Sequence, residues 1–177
     1  MYNKSIIFLT VLFVTSSIFA QEKTEIKFDP QQLTFEQKLS RTGSNLTAFV
    51  ISGIAVAKEA GKSAEDYGRY TGNLFAPGWE SVKGKGLAAY ITAMYENWQA
   101  DKNFKIEMTK ESKTAVEGKM TVWFDSQAKF WCKKSGITLE EYVSFFNEVY
   151  KAITEYLGFK YTEKFDAGWI IFTISKK

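Results

Sequence analysis

The chain has 177 residues, with 23 Lys and Arg against 20 Asp and Glu, a net charge of +3, one cysteine and no histidine. So small a surplus of positive charge excludes the dense cationic footprint of a nucleic-acid binder. The missing histidine excludes a Ser/His/Asp triad, a Cys/His pair and His-ligated zinc or haem, and a lone cysteine builds neither an intrachain disulfide nor a Cys-rich metal site. No metal and no cofactor is therefore expected.

Residues 1–20, MYNKSIIFLTVLFVTSSIFA, place Lys4 ahead of an apolar run from Ile6 to Val14, then small residues and Ala20. That order predicts a secretory signal peptide cut near Ala20, and hence export to the periplasm or the extracellular space. The run is shorter than the ~20 apolar residues of a membrane span, so no stable span is expected after cleavage. Residues 21–43, polar and carrying Pro30, read as an N-terminal leader. Residues 44–177 read as a single α+β domain, long enough to hold its core without covalent staples.

From Ser44 the pattern becomes helical: Leu46, Phe49, Val50, Gly53, Ile54 and Ala57 recur at intervals of three and four, predicting one buried face, and Gly61 supplies the stop. Ser63 with Asp66 forms a capping box that opens a second helix. On it Tyr67, Tyr70, Thr71 and Leu74 share one side, and Gly68 and Gly72 another. Interior glycines cost about 1 kcal/mol each against alanine. Close approach of another helix compensates for that, or a ligand lying on the bared backbone. Pro77 ends the helix near Phe75.

The stretch SVKGKGLAAY is not a phosphate loop, because Trp79 stands where the first glycine is needed and no Ser or Thr follows Lys85. A third helix follows, with Leu87, Tyr90, Ile91, Met94, Tyr95 and Trp98 on one face. The period then drops to two: Phe104, Ile106 and Met108 alternate with polar residues, as do Val116, Gly118, Met120, Val122 and Phe124, predicting a hairpin with one apolar face.

The plan then repeats. A short helix is predicted over Gln127 to Lys134. Thr138 with Glu141 caps a long helix whose face is Tyr142, Phe145, Phe146, Val149, Tyr150, Ile153 and Leu157. A second hairpin turns near Asp166 to Gly168, with Ile170, Phe172 and Ile174 pointing inward. The predicted fold is α+β: a four-stranded antiparallel sheet from two hairpins, each preceded by helices packed on one face.

Fifteen Phe, nine Tyr and five Trp are the compositional oddity. Rings that each bury ~150–250 Å² should dominate the interior, and they can also wall a pocket. The candidate ligand-binding residues are Tyr67, Arg69, Tyr70, Phe75, Trp79, Tyr90, Tyr95, Phe124, Trp131 and Phe146. Arg69 is suited to receive a carboxylate or phosphate, or is an ordinary surface residue. Cys132 is the sole thiol, best read as packed behind Trp131. The acidic pairs Glu65/Asp66 and Glu140/Glu141 diverge on their helices and read as caps.

The helix DYGRYTGNLF, with Gly72 followed by Phe75, and the C-terminal EYLGFKYTEKFDAGWIIFTI give residues 44–175 a layout. That layout resembles the vinyl-reductase type of small ligand-binding domain, with its haem nitric-oxide-binding relatives and the TRAPP transport subunits. The resemblance implies a small or lipidic ligand enclosed between helices and sheet. The late cysteines of the vinyl-reductase domains and the proximal histidine of the haem relatives are missing, so metal and haem functions are not implied. The same order of elements resembles the aminothiazoline-carboxylate hydrolase type of small α+β enzyme.

Three functions remain. The first is an exported, non-catalytic protein that binds a small hydrophobic or aromatic ligand between helices and sheet. The second is a small hydrolase using Cys132 or an acidic pair. The third is an adaptor that forms a homodimer through Trp123, Trp169 and Ile171 on the outward face of the sheet.

Overall fold

The computed structural model describes residues 31–177. The signal-peptide reading of residues 1–20 and the leader reading up to residue 30 lie outside the described residues. Helix α1 (Phe35–Glu59) starts well before Ser44, because Thr34 and Gln37 close a capping box around its first turn. Residues 35–43, assigned to the leader by their polarity, are thus helical.

Two further capping boxes, Ser63/Asp66 and Thr138/Glu141, open α2 (Ala64–Phe75) and α5 (Leu139–Tyr156) where the sequence places them. Between α2 and α3 (Leu87–Trp98) runs a 3₁₀ segment, Ala76–Val82, with Pro77 in its first turn. Helix α4 is Asp125–Ser135.

The strands β1 (Ile106–Glu111), β2 (Ala115–Thr121), β3 (Phe159–Asp166) and β4 (Trp169–Lys176) form one antiparallel sheet in the order β1-β2-β4-β3. Each hairpin keeps its own pair, and β2 joins β4 with Val116 opposite Ile174 and Met120 opposite Ile170. Val116, Met120, Ile170, Phe172, Ile174 and Tyr161 all point to the helical side and are buried. The opposite face carries ion pairs, Lys119–Glu107 at 2.8 Å and Lys110–Glu117 at 3.0 Å.

Helix α5 occupies the centre, packed on β3 on one side and on α2 on the other. Gly68 and Gly72 make the second contact possible. A methyl group on Gly68 would overlap the Phe145 carbonyl, and one on Gly72 would lie 2.8 Å from the Ala152 Cβ and the Val149 carbonyl. The room that these glycines leave is filled by the backbone of α5, which is the packing alternative rather than the ligand one.

Rings fill the layer between helices and sheet. Trp98 packs edge-on to Tyr150 (5.4 Å between centroids) and Phe172 (6.4 Å), and Tyr90 stacks on Phe159 (5.9 Å). Buried polar groups in this layer are paired: the Tyr90 hydroxyl with Thr154 at 2.6 Å, and the Trp98 indole N–H donating to the Tyr150 hydroxyl at 2.7 Å. Among Trp98, Met120, Tyr142 and Ile170 the packing leaves a void of about 10 Å³, enough for about one water molecule. The expected enclosed pocket between helices and sheet is therefore filled by side chains.

Candidate functional site

An open groove of about 660 Å³, floored by α5, lies in the helical layer; other depressions, of about 510 and 450 Å³, have charged residues in their linings. Its floor is Phe145, Phe146, Val149, Tyr150 and Ile153, a run of about 12 Å at ~1.5 Å per residue. One wall is α1, through Leu46, Phe49 and Val50; the other is α2, through Tyr67, Thr71, Leu74 and Phe75. Gly78 and Trp79 of the 3₁₀ segment, with Asn97 and Trp123, complete the lining.

The α1 wall arises from a difference of phase. The residues of α1 that are buried are Gly43, Thr47, Ile51 and Ile54, whereas Leu46 is 40% and Phe49 77% exposed. The helix is apolar on two sides, and the side facing its neighbours is offset from the stripe that the spacing alone singles out. The α2 wall follows from the glycines. With Gly68 and Gly72 turned to α5, Tyr67, Thr71 and Leu74 are left along the groove. Tyr67 is wedged between Gly53, where a methyl group would strike its ring, and Phe145, 5.1 Å away.

Of the ten candidate residues, the structure brings Tyr67, Phe75, Trp79 and Phe146 together in this groove. The other six lie elsewhere. Tyr90 is wholly buried against Thr154 and Phe159. Phe124, in the left-handed region at φ 51°, caps α4 and lays its ring on Gly43. Trp131 donates its indole N–H to the Ser44 hydroxyl at 3.1 Å, joining α4 to α1. Tyr70 lines a smaller neighbouring cavity with Lys62 and Asp66, and Tyr95 is exposed at the surface.

Arg69 is no free anion receptor, because Glu148 holds its guanidinium at 2.8 Å; Lys151 reaches the same carboxylate at 3.3 Å. The groove residues that sequence reasoning did not nominate are chiefly Leu74, Thr71, Val149 and Ile153. Their helical spacing placed Val149 and Ile153 on the apolar face of the long helix and Thr71 and Leu74 on one side of the second, and a groove between two helices carries that same spacing as a buried face.

The chemistry of a nucleophile is missing at Cys132. The thiol is buried and contacts the Thr138 carbonyl, and burial, with Glu141 and Glu140 nearby, pushes it up to about 11. Asp66 and Glu141 are both engaged as helix caps, and Glu141 also binds Lys58 at 2.5 Å. Trp123 does not lie on the outward sheet face. The strand ends at Thr121, and the Trp123 ring turns in to meet Phe146 edge-on at 5.6 Å.

Several carboxyls, Glu36, Glu65, Glu80 and Glu141 among them, are held below their ordinary value by hydrogen bonds, whereas Glu163 is shifted upward. Glu163, half-buried on the helical side of β3, accepts the Tyr161 hydroxyl at 2.5 Å. Burial pushes its carboxyl up to about 7, the Tyr161 hydrogen bond works against that, and the Glu148 charge adds to it. Among the described residues, no helix is long and apolar enough to cross a membrane.

Comparison of the chain with models of protein families, with curated proteins and with solved structures returns no match.

Proposed function

We propose that the chain is an exported, non-catalytic binding protein for a small apolar or aromatic molecule, held in the groove between α1, α2 and α5. The observation that carries this reading is the lining. None of its sixteen residues is charged, and its rim leaves Leu46, Phe49, Leu74 and Phe75 between 40% and 77% exposed. Small-molecule sites have volumes of ~300–1,000 Å³ and mostly apolar, aromatic walls with few polar groups. Large apolar side chains gathered around an opening mark an interaction site. Export rests on the order of charge, apolar run and small residues in the first twenty positions. The resemblance to vinyl-reductase-type domains favours ligand binding as well, with the site moved from the helix–sheet layer to the helical layer.

The hydrolase reading has less support, since it depends on a thiol that burial keeps protonated and on carboxylates engaged as caps. The dimer reading has less as well, since the outward sheet face is crossed by ion pairs and has lost Trp123.

The test uses Nile red, a neutral apolar dye whose emission shifts in a dry site. Titration of the folded protein should give saturable binding, and Phe49→Glu and Leu74→Glu should each weaken it about tenfold or more. Both positions are exposed, so the fold tolerates the change. Binding that neither substitution affects would remove the groove as the site.

A further inference from the structure

We propose that α1 is the interface of a symmetric homodimer, in which its exposed apolar stripe packs antiparallel against the same stripe of a second copy of this chain. From Phe35 a line of side chains follows alternating steps of four and three residues: Leu39, Thr42, Leu46, Phe49, Gly53 and Val56. Three such heptads have the spacing of a coiled-coil seam and cover about 32 Å at ~1.5 Å per residue. The stripe is distinct from the side of α1 that is buried in its own chain through Gly43, Thr47, Ile51 and Ile54. Phe35, Phe49 and Val56 are between 65% and 81% exposed, and of the stripe only Leu46 and Phe49 line the groove. A small molecule in the groove leaves Phe35 and Val56 bare, so the inference goes beyond the groove reading and does not depend on it.

Charge decides the direction of pairing. Helix α1 carries five charged side chains. Glu36 and Lys58 are paired within the chain, to Lys102 and Glu141. The other three, Lys38, Arg41 and Glu59, are exposed and make no ion pair among the described residues. The cations stand at the start of the helix and the anion at its end. An antiparallel helix with its Phe49 opposite Leu46 also sets its Val56 opposite Leu39 and its Gly53 opposite Thr42. That register brings Lys38 beside Glu59 of the second copy, with Arg41 a turn further along, and the two-fold axis repeats each contact. Tyr67 of α2 already lies on Gly53, and the residue that arrives there, Thr42 of the second copy, is small. Parallel pairing would set Lys38 beside Lys38 and Glu59 beside Glu59, repelling at both ends.

The area available approaches what a stable dimer needs. Phe35 and Phe49 of both copies, at ~150–250 Å² for each ring fully covered, supply roughly 500–800 Å² at their present exposure. Leu46, Val56 and the flanking stems raise that towards the ~1,200–2,000 Å² of stable interfaces. The outward sheet face, crossed by the Lys119–Glu107 and Lys110–Glu117 ion pairs, offers no comparable stripe. With Leu46 and Phe49 at the axis, the second copy lies along the α1 side of the groove rim.

Static light scattering of the folded protein from micromolar to millimolar concentration should show a monomer–dimer equilibrium. Phe35→Glu and Val56→Glu, at exposed positions outside the groove lining, should each weaken it about tenfold or more, because symmetry places the new charge in the seam twice. Lys38→Glu and Glu59→Lys should each weaken it about three- to tenfold at low salt. The double variant should return to within about twofold of the parent, since the pair is restored with its signs exchanged. A monomer throughout that range, or a dimer indifferent to Val56→Glu, overturns the inference. Charge changes without effect, or a double variant that fails to restore the dimer, overturn the antiparallel register. Nile red binding reads the groove separately, and its failure would leave this interface standing.

Discussion

Gly68 of α2 lies directly against the backbone of Phe145 on α5, with no space for a methyl group between them. This contact, repeated one turn later by Gly72 against Val149 and Ala152, sets the distance between the two helices and leaves Tyr67 and Thr71 along the groove. Gly68→Ala should therefore destabilise the protein by about 1–3 kcal/mol, overpacking outweighing the ~1 kcal/mol gain in helix propensity. Gly78→Ala, where nothing lies within 4 Å, should be close to neutral. Urea unfolding of the two variants checks the contrast, and an equal effect at both positions would contradict the close-approach account.

Glu163 makes stability depend on pH. Its folded-state pKa of about 7 lies above the ordinary 4.5, so the folded protein keeps a proton that the unfolded chain has released. The stabilisation from this site is complete below pH 4.5 and is lost as pH rises through 7. Glu163→Gln removes the titration. The stability of the variant relative to the parent should rise by about 1–3 kcal/mol between pH 5 and pH 8.5, after allowance for partial exposure. A difference that stays constant across that range would show that the carboxyl ionises normally.

Cys132 should resist alkylation in the native protein. A thiol pushed up to about 11 carries roughly a hundredfold less thiolate at pH 8 than an ordinary one, and burial restricts access besides. Iodoacetamide should label the native protein at least a hundredfold more slowly than the urea-unfolded chain. Comparable rates would reopen the nucleophile reading.

The turn between β3 and β4 is made by Ala167 and Gly168, both at positive φ, 49° and 82°. That is the pattern of a two-residue hairpin turn, in which Asn-Gly is preferred. Alanine pays a steric penalty in the left-handed region that asparagine largely escapes. Ala167→Asn should raise stability by about 0.5–1 kcal/mol, measured as a higher midpoint in urea with an unchanged slope. A loss of stability would mean that Ala167 adopts another conformation in solution.

The legible parts of this protein are those in which neighbours in the chain act on one another. Ser63 with Asp66 and Thr138 with Glu141 set the starts of α2 and α5, since a cap and its partner stand three residues apart. The alternation in Ile170, Phe172 and Ile174 assigns a strand and its inward face in the same way, because one side of this sheet is covered and the other wet. From these local rules come, among the described residues, five α-helices, two hairpins and one antiparallel sheet.

Local rules do not say which distant surface arrives. Phe49 has the spacing of a core residue and is 77% exposed, because α1 is apolar on two sides and only the position of α2, α4 and α5 decides which of them is covered. Phe124 continues the alternation of its strand, yet the chain leaves the sheet at Thr121 and the ring is carried to Gly43. The amino-acid sequence alone determined the elements, their order and a supply of rings. Which rings interlock in the interior, and which are left along a groove, was decided by tertiary packing, since it depends on contacts between residues far apart in the chain, such as Ser44 and Trp131 at a separation of 87, that no local period encodes.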